Sequence, residues 1–276
     1  MKNKKNIIIG IMTIFITILI LAFVVPSIHE KECKNRVFED MSVKASTLEQ
    51  SVIGIIPEKT GDGITSHNGY GSGVFFDKKQ NTYYAVTAAH VVEDTQSSYK
   101  VFTRNTAFQG QTVVVNENTG IQFEIPNEAY YDSLLAGKVE FISDTTDIAI
   151  ISFETEEDLP ILSFEDKELI KGMKLMCIGH PEGNRYQKSY GYVKTGLQNV
   201  IAFTKSTGKV RKDKVIMHDA YLNYGNSGGV AISENMKIAG INVGGSFSLT
   251  GYFSKGHMIP WNIVKENIQK WESSIK

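Results

Sequence analysis

Between Gln50 and Pro260 the apolar residues of this chain come in runs too short for a globular helix. They include SVIGIIP (51–57), GVFF (73–76), YYAVT (83–87), DIAIISF (147–153) and KLMCIG (174–179). Others lie at 112–115, 138–142, 190–194, 215–218, 229–232 and 237–243. Each is rich in Val, Ile, Phe or Tyr and is bounded by turn residues, as strands are. Many short strands without intervening helices predict an all-β sandwich or barrel. One helix closes the chain. After Pro260, the residues Trp261, Val264, Ile268 and Trp271 recur at helical spacing, which predicts a helix over 261–275 docked on the strands. A shorter helix is expected over 127–136, after Pro126. The acidic stretch 154–158 before Leu159-Pro160 reads as the link between two halves.

Charge narrows the function. The 276 residues carry 29 Lys+Arg against 30 Asp+Glu, so the basic excess of a nucleic-acid binder is absent. Two cysteines, Cys33 and Cys177, make neither a disulfide framework nor a four-cysteine zinc site. The N-terminal residues 1–6 (MKNKKN) are basic, and residues 7–25 contain no charge. Nineteen residues at about 1.5 Å rise span roughly 28 Å, close to the hydrocarbon thickness of a bilayer. This predicts a transmembrane signal anchor, with a cytoplasmic flank at 1–6 and everything after residue 25 outside the cell membrane. The competing expectation is a signal peptide cut near Val25-Pro26-Ser27 and a secreted product, but this apolar core exceeds the usual span of about 7–15 residues. Residues 26–49 are polar and mixed in charge and read as a stalk, which leaves 50–276 as the folded domain.

Three pieces carry chemistry together. Thr87-Ala88-Ala89-His90 closes an apolar strand, Asp147 opens another, and Gly225-Asn226-Ser227-Gly228-Gly229 places a serine in a glycine-rich turn. A serine hydroxyl is a weak nucleophile and needs a base beside it. Histidine suits that role because its pKa lies near working pH. A buried carboxylate holds the imidazole in the right tautomer. The glycines let the backbone turn so that the Gly225 and Ser227 amides point at a developing oxyanion. Singly, each piece has an ordinary structural explanation; the order His, Asp, Ser with these local patterns does not.

The motifs GSGVFF…YYAVTAAH, DIAII and GNSGG resemble those of trypsin-like, chymotrypsin-fold serine proteases, particularly the HtrA (Deg) type. The resemblance runs from about Gln50 to Ile268 and includes the HDAYLN run before the nucleophile turn. It implies two six-stranded β-barrels, over about 50–155 and 165–262, with the site in the cleft between them. It makes Ser227 the nucleophile, His90 the general base and Asp147 the orienting acid, with Asp144 as the fallback acid. It gives the oxyanion hole to Gly225 and Ser227, and a specificity pocket to Tyr221, Asn223, Asn242, Gly244 and Gly245. It further implies a protein or peptide substrate, no cofactor, no metal, and a trimer as one assembly open to the chain. The sequence departs from the HtrA pattern in three ways: no PDZ-like segment follows the closing helix, Tyr224 stands where the family has Pro, and residues 199–214 form a long basic loop. The pocket has no acid at the base position that marks Arg/Lys cleavage. Asn242 stands where glutamyl endopeptidases carry His. The expectation is therefore an uncharged pocket for small or medium apolar side chains.

Alternatives remain on sequence grounds. GNSGG also satisfies the G-x-S-x-G elbow of α/β-hydrolases, but that fold needs an acid and then a His after the serine. Only Glu234, Glu266, Glu272 and His257 follow Ser227, and the strand–helix alternation is missing. A membrane-anchored pseudoprotease, or a latent protease acting as a binding module, would keep the fold without turnover. His180, His218 and His257 show no metal-ligand spacing. Cys177 reads as a buried small residue in an apolar strand, while Cys33 is open to pairing with Cys177 or with a second chain in an oxidising compartment.

Overall fold

A computed structural model describes residues 38–61, 64–67, 69–107, 110–115, 122–203, 208, 210–248 and 252–275. The expected flank at 1–6, the membrane segment at 7–25, the first part of the stalk and Cys33 lie outside the described residues. Among the described residues no helix is long and apolar enough to cross a membrane. A helix, α1, occupies residues 38–48, inside the stretch read as stalk.

The first half holds β1 (Val52–Gly61), β2 (Ile64–His67), β3 (Gly71–Lys79), β4 (Thr82–Thr87) and β5 (Ser98–Phe102). A hairpin of β6 (Gln111–Val115) and β7 (Gln122–Pro126) follows, then β8 (Leu135–Ile142) and β9 (Ala149–Glu154). Two short helices interrupt them, α2 (Ala89–Val92) and α3 (Glu128–Asp132). The order β1-β3-β4-β9-β8-β5 closes on itself because β5 also pairs with β1, so six strands form a closed barrel and β2 extends one edge. Ile53, Ile55, Phe75, Tyr83, Val101 and Ile151 meet inside it. Each such side chain, fully buried, contributes about 1.5–3 kcal/mol. The Tyr83 hydroxyl reaches past this core, donating to the Glu157 carbonyl (3.0 Å) and accepting from the Leu159 N–H (2.8 Å). One core residue thus holds the link to the second half.

The second half holds β10 (Lys174–Gly179), β11 (Gln187–Tyr192), β12 (Gln198–Phe203), β13 (Val210–His218), β14 (Val230–Ser233), β15 (Ile238–Phe247) and β16 (Phe253–Pro260). These seven lie in the order β11-β10-β14-β15-β16-β13-β12. The expectation of a second closed six-stranded barrel is corrected to a half-barrel. Its edges are joined by a bridge between Val193 and His218 rather than by a paired ladder. The reason is local. β13 pairs with β12 over residues 210–215, so only its last residues, ending at His218, are left to meet Val193, just past the end of β11.

The closing helix, α4 (Trp261–Ser274), follows Pro260 as expected. It buries Ile263, Val264, Ile268 and Trp271. Trp271 packs on Phe76 and Tyr84 of the first barrel, with ring centroids 5.9 and 5.0 Å away. The helix expected over 127–136 is shorter. Asn127 caps it by accepting from the Tyr130 N–H (3.3 Å), and from Leu135 the chain is already strand β8.

Candidate active site

His90 sits one turn past the end of β4, on α2 and not at the strand end itself. Asp147 lies in the bend before β9. Adjacent strands β4 and β9 bring the two segments together, with Thr87 opposite Ala149. The Asp147 carboxylate then meets His90 twice. Oδ2 lies 2.6 Å from the imidazole Nδ1, and Oδ1 accepts the His90 backbone N–H at 2.9 Å. The bend is itself fixed, because the Thr146 hydroxyl donates to Asn267 Oδ1 on α4 at 3.1 Å. Asp144 is exposed, so the fallback acid is turned to solvent.

Burial works against charge on both partners, yet their contact wins. Burial pulls the His90 pKa down, but the bond and charge of Asp147 leave it above the ordinary histidine value. Burial pushes Asp147 up, and the bond from His90 brings it below the usual carboxylate range. The lowered carboxylate favours its charged form, and the raised imidazole has the greater proton affinity that suits a proton-accepting base.

Ser227 lies in a turn between β13 and β14 that only glycine allows. Gly225 has φ +100° and Gly228 has φ +81°. A side-chain carbon on Gly225 would lie 2.2 Å from the His180 carbonyl oxygen. One on Gly228 would lie 2.1 Å from the Ser72 oxygen, and 2.2 and 2.9 Å from Thr87 Oγ1 and the Ala88 nitrogen. The turn therefore packs directly on the segment that carries His90. Ser72, on β3, fastens both sides: its N–H donates to Ser227 O (2.8 Å), its hydroxyl to Gly225 O (2.7 Å), and its carbonyl accepts from the Thr87 hydroxyl (2.7 Å). Among the described residues the Ser227 hydroxyl and His90 Nε2 have no hydrogen-bond partner. Such bonds are often long without substrate and tighten when it binds.

The Tyr224–Gly225 peptide has a defined direction. The Glu182 N–H donates to the Tyr224 carbonyl at 2.7 Å. The peptide is trans, so the Gly225 N–H points the opposite way. Among the described residues neither the Gly225 nor the Ser227 N–H donates to a protein group. Two free amides two residues apart, beside a serine hydroxyl, can bind a negatively charged oxygen.

Residues 71–241, more than half of the chain, match the family of the trypsin-like peptidase domain. The chain belongs to this family. It is 29% identical over 231 residues to the serine protease Do-like HtrB of Bacillus subtilis, covering 79% of this chain and 44% of that protein. It is 27% identical over 173 residues to the serine protease Do-like HtrA of Lactobacillus helveticus, covering 62% of this chain and 35% of that one. The serine protease HTRA1A of Danio rerio is 31% identical over 136 residues, covering 47% and 26%. The chain thus spans less than half the length of these curated relatives.

In this trypsin-like domain the expected pocket residues separate. Tyr221 and Asn223 line a cleft of about 400 Å³ beside the Ser227 turn, together with Glu182, Ser189 and Asn226. Asn223 donates to Glu182 Oε1 at 2.8 Å, and Tyr221 stays exposed with its ring against Phe253. Gly244 and Gly245 run along β15, and a side-chain carbon on Gly244 would meet nothing within 4 Å. Asn242 is fully buried. Its Oδ1 lies 3.2 Å from His218 Nε2 and 3.7 Å from the Cys177 thiol, so only its backbone, which accepts from the Gly228 N–H at 2.7 Å, reaches the turn. Cys177 is a free, buried thiol with its pKa pushed up to about 12 by burial. Among the described residues no cluster of potential metal ligands occurs.

Sequence reasoning missed Arg211 and Asp213. The segment 199–214, read as a loop, is largely the β12–β13 hairpin. On β13 burial alternates, with Arg211, Asp213 and Val215 inward and Lys212 and Lys214 outward. Arg211 Nη1 donates to Asp147 Oδ1 at 2.8 Å, and Asp213 Oδ1 accepts the Asp147 N–H at 2.9 Å. The alternation R-K-D-K-V was the available signal: two charges share the face of a core valine.

Proposed function

We propose that this chain is a serine-type endopeptidase with Ser227 as nucleophile, His90 as general base and Asp147 as orienting acid. The observation that carries the reading is the His90–Asp147 pair (2.6 Å), carried on a segment whose Thr87 and Ala88 pack against the Ser227 turn, in which the Gly225 and Ser227 amides donate to no described protein group. Substrate binding brings the Ser227 hydroxyl within reach of His90 Nε2. As Ser227 Oγ bonds to the scissile carbonyl carbon, its proton passes to His90, and Asp147 stabilises the imidazolium. The carbonyl oxygen becomes an oxyanion held by the Gly225 and Ser227 amides; losing one such donor typically costs about 10²–10³ in rate. Collapse breaks the C–N bond, and His90 returns the proton to the departing amine. Water, deprotonated by His90, then splits the acyl-Ser227 ester, releasing the acid and restoring the hydroxyl.

The substrate is an extended protein or peptide chain, with an uncharged side chain beside the Tyr221–Asn223 and Gly244–Gly245 walls. The uncharged residues 7–25 support a single membrane anchor with the domain outside the cytoplasm. The test is turnover of an unfolded protein by the full-length chain beside Ser227→Ala. Cleavage that falls several orders of magnitude in a folded variant supports the reading. Equal cleavage by both rejects the nucleophile. A folded wild type that binds the unfolded protein without cutting it favours the binding module. Protease added outside intact cells should digest the domain; full protection would overturn the location.

A further inference from the structure

The carboxylate that faces His90 is held from the opposite half of the molecule. Asp147 Oδ1 takes two donors, the His90 N–H and Arg211 Nη1, which leaves Oδ2 for the imidazole. The other arm of the guanidinium, Nη2, pairs with Glu93, the residue that ends α2 three positions after His90. The side chains of Arg211, Glu93 and Asp147 are only 7%, 6% and 5% exposed. A planar guanidinium that forks between two carboxylates fixes their separation, which a lysine ammonium does not. A buried cation between two buried carboxylates leaves one negative charge, and an imidazolium at His90 cancels it. Asp213 lies beside them, buried, with Oδ2 lacking a partner among the described residues.

We propose that Arg211 is a positioning residue for the catalytic acid, and that the Arg211–Glu93 pair acts on His90 with opposite sign at its two ends. The proposal rests on the endopeptidase reading and specifies the regulation of that same site. Four groups face His90 or its partner: Asp147 before β9, Glu93 at the end of α2, and Arg211 and Asp213 on β13. Asp147 and Glu93 favour the imidazolium, and Arg211 opposes it. Burial, then the charge of Asp147, raises the Asp213 pKa, while the bond from the Asp147 N–H and the charges of Arg211 and His90 act against that rise. β13 belongs to the half that carries Ser227. The same contact therefore ties the acid–base pair of one half to β13, which leads into the Ser227 turn of the other.

The test is the rate of reaction of the full-length chain with a fluorophosphonate, which forms a Ser227 Oγ–P bond and releases fluoride, followed from about pH 5 to pH 9. Wild type should show an acid limb set by His90. Arg211→Met removes the opposing cation and should move that limb up by about one pH unit, with a plateau roughly tenfold slower. Glu93→Gln removes an anion and should move the limb down. Arg211→Lys keeps the charge without the fork and should restore the limb while the plateau stays slow. Where a lone buried charge prevents folding, the double variant Arg211→Met/Glu93→Gln removes both charges, and its limb should return close to wild type. Variants that slow the reaction without moving the limb, or move it in one direction only, would overturn the assignment and leave the endopeptidase reading standing. A folded wild type that never reacts would overturn that reading, and the assignment with it.

Discussion

The two halves solve the same packing problem differently. The first closes six strands by continuous backbone pairing around an apolar core, and the proposed base and acid, His90 and Asp147, sit at the rim. The second stays a half-barrel joined by one bridge, and it buries Glu165, Arg211, Asp213, His218, Ser233 and Asn242 beside its apolar residues. Closure makes the first half a fixed platform for an acid–base pair. The second half positions Ser227 through positive-φ glycines and specific polar contacts, because no ladder runs through the Ser227 turn. The comparison teaches that the first half should fail mainly through lost packing, and the second through lost polar contacts and changes in pH.

The largest effect expected is on the rim of the first half. Asp147→Asn keeps the size of the side chain but removes the charge that orients His90. It should slow fluorophosphonate labelling by about 10⁴ with little loss of stability. A change of less than tenfold would show that the platform does not need its acid.

Packing comes next. Ile151 is fully buried in the first barrel, so Ile151→Ala should lower unfolding stability in denaturant by about 2–5 kcal/mol, by the same amount at any pH. A loss that varies strongly with pH would break the contrast between the halves.

Acid should then find the second half. Burial holds the His218 pKa down at about 4, against an ordinary value of 6.5. The unfolded chain therefore takes up a proton that the folded one refuses. Stability contributed by neutral His218 is complete above pH 6.5 and is lost as pH falls towards 4, up to about 3 kcal/mol. His218→Gln should flatten that slope in acid unfolding curves. The same slope in both proteins would remove His218 as its source.

The smallest expected effect is at Glu165. Burial opposes its charge, but bonds from the Ser233 hydroxyl (2.6 Å), Asn235 (2.9 Å) and the Asp166 and Lys167 amides outweigh that and hold its pKa at about 2. Glu165→Gln should cost about 2 kcal/mol near neutrality. The gap to wild type should close as pH falls below 4.5, because a lowered acid pKa contributes only while the carboxylate is charged. A cost that exceeds that of Ile151→Ala would reverse the ranking.

Much of this was legible in the sequence, and the rest was hidden for physical reasons. Runs such as YYAVT and KLMCIG, buried on both sides, became β4 and β10 because continuous apolar residues leave little choice. β2 (ITSH) was hidden because it carries a single large apolar residue, and β5 (SYKVF) because Lys100 breaks its apolar residues Tyr99, Val101 and Phe102 into pieces shorter than the other runs. β12 lay inside a segment whose basic charge suggested a loop. His90 and Asp147 were readable because local patterns flank them. Arg211 was not, because its role depends on a strand of one half reaching a bend of the other, 64 residues away in sequence. The burial of Asn242 was hidden likewise: all of residues 238–242 on β15 are buried, and its backbone carbonyl accepts from the Gly228 N–H.

The central claim is that one half supplies the nucleophile and the other the base that activates it. The most direct measurement is fluorophosphonate labelling of the folded full-length chain, with the modified residue located by peptide mass, beside Ser227→Ala and His90→Ala. The account predicts a single adduct on Ser227, absent from Ser227→Ala and slowed by orders of magnitude in His90→Ala. An adduct on another residue, or labelling of Ser227 at the wild-type rate without His90, would contradict it.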